Sequence, residues 1–98
     1  MTHLAWADLS AQFAGRERPS GAAIFIAPDH PDFPPEWLTR HYGVLCVGWP
    51  GIGARTFQPG EKIRCRYRVW IHRGAPGVEE LRRTYGEYGK WLRASDRR

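Results

Sequence analysis

Between Glu61 and His72 apolar and polar positions alternate along the chain. Ile63, Cys65, Tyr67, Val69 and Ile71 fall on one side, and Lys62, Arg64, Arg66, Arg68, Trp70 and His72 on the other. A period of two marks a strand with one packed and one polar face. The segment 61–72 is therefore predicted to be a β-strand with Cys65, Tyr67 and Val69 buried. Ala22–Ala27 is a short apolar run halted by Pro28, as suits a buried strand. Gly43–Trp49 is apolar on both alternating sides and predicts a strand covered on both faces. From Val78 to Arg93 the period changes: Val78, Leu81, Tyr85, Tyr88 and Leu92 recur at three- and four-residue steps, a helical stripe weakened by Gly86 and Gly89.

The remaining segments are less regular. Leu4–Phe13 has mixed spacing that leaves helix and strand both open. Gly15–Gly21 is a loop, and Thr56–Glu61 reads as a short strand entering a Pro59-Gly60 turn. Asp29–Pro35 contains Pro31, Pro34 and Pro35, too many for a helix or a central strand, and must be a shaped loop. Glu36–His41 is either one helical turn or an extended link. Several short strands before one terminal helix predict a mainly β fold: an antiparallel β-sandwich, like a segment of a supersandwich, with one C-terminal helix.

A length of 98 residues allows one domain, spanning 1–98. With 42% hydrophobic and 26% charged residues the chain reads as globular. Its five Trp are expected mostly in the core. No apolar run approaches the roughly 20 residues of a membrane helix, and Met1–Phe13 lacks the pattern of a signal peptide. The expectation is a cytoplasmic protein without a membrane partner, with Cys46 and Cys65 as free core thiols. A net charge of +5 favours an acidic partner. Nucleic acid is nevertheless disfavoured, because no recognition-helix, zinc-finger or RNP pattern accompanies the charge.

Three groups of residues carry candidate chemistry. Asp29, His30 and Asp32 offer oxygen and nitrogen ligands, but Asp and Pro at this density more commonly shape a loop. Arg64, Arg66 and Arg68 share one strand side with Trp70 and His72, at spacings of about 7 Å that suit carboxylates, phosphates or an acidic sugar. The alternative is a solvated face or pairing with acidic neighbours. Trp37, Arg40 and His41, beside Tyr42, follow the proline loop and form the preferred carbohydrate-contact set. Against that, Trp37 serves equally as a core plug. No acid–base or nucleophile pair stands out, so no catalytic residue, metal site or cofactor is assigned.

The order of motifs adds a resemblance. Trp6-Ala7-Asp8-Leu9-Ser10, Gly21–Phe25, Pro28-Asp29-His30-Pro31, Pro34-Pro35-Glu36-Trp37, Arg40-His41-Tyr42-Gly43, Phe57–Glu61 and Arg64–Val69 follow one another as in the C-terminal section of the soluble PmoA-like family, labelled methane oxygenase. That family is similar to galactose-mutarotase-type β-supersandwich proteins. The resemblance places the family's histidine-rich segment upstream, and so implies a C-terminal fragment or truncated relative of a larger domain. The stretch corresponding to the strand that bears the mutarotase glutamate, Gly21–Ala27, has no carboxylate. The expected function is a non-catalytic or incomplete β-sandwich module related to carbohydrate-active proteins, with a carbohydrate ligand. One alternative is a fragment or subunit of a PmoA-like enzyme with its catalytic residues elsewhere, and another is a basic module for anionic polymers. A homo-oligomer, or a chain completed by a missing N-terminal portion, is expected because few elements are available to cover the apolar strands.

Overall fold

The apolar run at Ala22–Ala27 lies at the centre of the molecule. In the computed structural model, which describes residues 2–12, 14–15, 17–40, 44–51 and 54–96, it belongs to the central strand of a sheet. Strands β1 (Thr2–His3), β2 (Trp6–Ala11), β3 (Ser20–Ile26), β4 (Glu36–Arg40), β5 (Val44–Val47) and β6 (Tyr67–Arg73) precede helix α1 (Val78–Asp96). They form two antiparallel three-stranded sheets, ordered β1-β4-β5 and β2-β3-β6. The expected mainly β protein with antiparallel sheets and one C-terminal helix is what the chain forms.

The sheets are joined where β1 runs on towards β2. Leu4 N–H donates to Pro35 O (3.2 Å), Ile26 N–H to Ala5 O (2.9 Å), and the Trp37 indole to Leu4 O (2.8 Å). Asp32 enters this junction with φ 59, a left-handed conformation that Asp tolerates better than most residues.

Register decides which side chains meet. Phe25 lies opposite Trp6 and Arg68, Ala23 opposite Asp8 and Trp70, and Gly21 opposite Ser10 and His72. These residues make the inner face, covered by α1. Ala23, Phe25 and Ala27 pack with Leu81, Tyr88 and Leu92, flanked by Trp6, Trp70 and Tyr85. Phe25 meets Tyr85 edge-on at 5.7 Å and stacks on Tyr88 at 6.2 Å. Glu79 and Glu80 in the first turn of α1 and Arg93 in the last complement its dipole.

Several expectations are corrected. The strand predicted over 61–72 begins only at Tyr67, and no strand forms over 56–61. Its sidedness is inverted: Tyr67, Val69 and Ile71 are 43%, 57% and 74% exposed, while His72 is buried and Arg66, Arg68 and Trp70 are half-buried. Alternation identifies residues that share a face, but the polar side is covered here because its polar groups find partners. β5 is not enclosed on both faces, since Leu45 and Val47 are half-buried and Cys46 is exposed. Cys46 is thus no core thiol, although both cysteines are free. Among the described residues no helix is long and apolar enough to cross a membrane.

A candidate ligand groove between the last strand and the helix

The β6 residues singled out from sequence separate into two environments. Arg66 is a structural tie: its guanidinium donates to Asp29 Oδ2 (2.6 Å) and to both carboxylate oxygens of Asp96 (3.0 and 3.2 Å). The two carboxylates hold its pKa above the ordinary value, Asp96 contributing most. Its Nε is buried without a hydrogen-bond partner. Arg64, before the strand, is exposed and 3.9 Å from Asp96. Trp70 and His72 are drawn into the inner face. Trp70 lies 6.3 Å from Phe25 and 5.1 Å from the His72 ring.

His72 engages both ring nitrogens, Nδ1 donating to Gly74 O (3.1 Å) and Nε2 facing Asp8 Oδ1. Ser10 Oγ donates to the other Asp8 oxygen (2.7 Å). Here the carboxylate stands between serine and histidine, so no base faces the serine hydroxyl. The trio clamps β2 to β6 across β3 and does not have the geometry of a nucleophile–base pair.

Arg68 behaves differently. Its guanidinium carbon lies 4.8 Å from the Tyr88 ring centroid and 4.7 Å from that of Trp91, within cation–π range. Strand and helix part here to leave an open groove of about 510 Å³ lined by Cys65, Arg66, Tyr67, Arg68, Tyr88, Trp91 and Leu92. Trp91 is 54% exposed, so much of its ring faces solvent beside a basic, hydrogen-bonding group. Burial pushes the Tyr67 hydroxyl up to about 12, with Cys65 adding to the shift, and also raises that of Tyr88.

The preferred set after the proline loop is not brought together as a site among the described residues. Trp37 is buried at 2% exposure and spends its indole N–H on Leu4 O. Arg40 closes β4, and His41 lies outside the described residues. The proline loop itself is held internally. His30 is buried, donating from Nδ1 to Pro31 O and accepting at Nε2 from the Tyr67 hydroxyl (2.8 Å). Asp32 pairs with Arg55 and accepts from the Trp49 indole (3.1 Å). Among the described residues no group of three or more His, Cys, Asp or Glu is arranged to hold a metal. A smaller pocket of about 160 Å³ at this end is lined by His3, Asp32, Glu36 and Trp49.

Sequence reasoning missed Trp91 as a groove residue. It lies off the apolar stripe, and its position one turn beyond Tyr88 was the available signal. Asp8, also missed, was detectable as a lone carboxylate in an otherwise apolar or small run.

Fold and groove together define a small antiparallel β protein with one helix-covered sheet and an aromatic–basic cleft at its edge. The chain belongs to DUF6807, a family of unknown function, whose model matches residues 1–86. No curated protein and no solved structure matches it. The sheet wall of the groove lies within the matched residues, whereas Tyr88, Trp91 and Leu92 lie beyond them.

Proposed function

We propose that the chain is a non-catalytic binding module for carbohydrate, with the Arg68–Tyr88–Trp91 groove as its contact surface. The observation that carries this reading is the exposed Trp91 ring next to a stacked guanidinium. A flat ring accepts the apolar C–H face of a sugar, while Arg68 supplies donors for hydroxyl or carboxylate oxygens. The groove is large enough for a small sugar ligand. Similarity to PmoA-like and mutarotase-type proteins supports the same ligand class. The site residues retained are Arg68, Tyr88 and Trp91. Trp37, Trp70 and His72 are reassigned to structure, and Arg66 to holding the groove's wall.

A module for anionic polymers is less well supported. Arg66 is already neutralised by Asp29 and Asp96, and Arg68 stacks within the groove. A glycan array read across a salt series separates the readings. Glycan binding that survives high salt and disappears in Trp91→Ala, with unchanged thermal stability, is the expected result. The absence of any glycan ligand would sink the proposal, and binding lost with a steep salt slope would favour the polymer.

A further inference from the structure

The face of the β2-β3-β6 sheet opposite α1 is apolar and open. Ala7 and Leu9 of β2, Ala22 and Ile24 of β3, and Val69 and Ile71 of β6 form its middle, with no charged side chain among them. Leu9 is 41% exposed and Ile71 74%. The molecule also exposes more surface than a closed fold of its size. Its accessible area is 7287 Å², about 1,500 Å² above the ~5,700 Å² usual for a monomer of this mass. That excess exceeds the roughly 800 Å² each partner contributes to a standard interface.

We propose that this face is the contact surface of a symmetric dimer, covered by the same face of a second copy. Relief across the sheet identifies the arrangement. Ala7, Ala11 and Ala22 keep the β2 side low, and Val69 and Ile71 make the β6 side tall. Beside them a hollow of about 320 Å³ is lined by Leu9, Ala11, Ser20, Gly21, Ala22 and Ile71. A two-fold axis parallel to the strands sets β6 of one copy over β2 of the other, so each tall row fills the partner's hollow. An axis across the strands would oppose tall to tall. Two sheets meeting this way form an aligned sandwich, with about 10 Å between them. The neutral, apolar surface matches itself and needs no charge complement from a different protein.

Leu9 and Ile71 lie in one cross-strand row, both paired to Ala22, and are separated within a copy by the whole of β3. In the dimer Leu9 of each copy faces Ile71 of the other. Sedimentation and light scattering of the full chain are expected to give twice the 11.3 kDa protomer mass, falling to one protomer on dilution. Leu9→Asp and Ile71→Lys should each give a monomer with unchanged far-UV circular dichroism, and the double variant should recover the dimer in a salt-sensitive form. Should one variant fail to fold, the other, together with wild-type dilution, still decides the matter. A wild type that is monomeric up to its solubility limit, or a dimer that persists in Ile71→Lys, would overturn the proposal. Failure of the folded double variant to dimerise would overturn the placing of β6 over β2.

Discussion

A Cβ at Gly21 would sit 2.8 Å from Ser10 Cα and 3.0 Å from His72 Cε1, so only glycine lets the histidine ring lie flat against β3. Gly21→Ala should destabilise the fold by about 1–3 kcal/mol, read as a lower denaturant midpoint. An unchanged midpoint would show that the ring has room to move. Tyr85 provides a pH-dependent test of the core. Its hydroxyl donates to Ile26 O (2.7 Å), and burial, with Tyr88 nearby, raises its pKa from 10.0 to about 12. The folded value lies above the unfolded one, so its stabilisation is complete below pH 10 and declines as pH rises from 10 towards 12. Melting temperatures across that window should fall in the wild type and fall less steeply in Tyr85→Phe. Equal slopes would contradict the assignment.

Arg66 links three elements, fastening the start of β6 to the loop at Asp29 and to the last turn of α1 at Asp96. The guanidinium's hydrogen bonds hold the Asp96 carboxyl below its ordinary 3.8. Because the folded value is depressed, this tie is intact above about pH 4 and is lost as pH falls through the folded value. Circular dichroism on acidification should show the end of α1 fraying in the wild type, while Asp96→Asn, lacking the carboxylate, should already be frayed at neutral pH. An Asp96→Asn helix as complete as the wild type would deny the tie any role. Local signals in the sequence were sufficient for β3, for the alternation of β6 and for the stripe of α1. They were insufficient for the sidedness of β6, because the partners that make its polar face coverable are distant: Asp96 lies 30 residues from Arg66, and Asp29 lies 37. Trp37 shows the same limit. Its residue type suits a sugar platform or a plug, and only the Leu4 carbonyl, 33 residues away, decides for the plug.

The whole molecule is thin, 51 × 35 × 19 Å, with a radius of gyration of 15.5 Å where a compact chain of this length has about 13 Å. One helix covers one face of the larger sheet, and the resulting shape is consistent with both the groove at its edge and the proposed contact between copies. The position of β3 at the centre of that sheet also bears on how the chain is made. β2 pairs with β3 across a short connection, but the other edge of β3 is satisfied only by β6, about forty residues later, at a correspondingly greater loop-closure cost. On a ribosome adding roughly 5–20 residues per second, the Ala22–Ile26 edge would wait seconds for its partner. During that interval an apolar hairpin stands open to other nascent chains, so the yield of native protein depends on how quickly translation delivers β6.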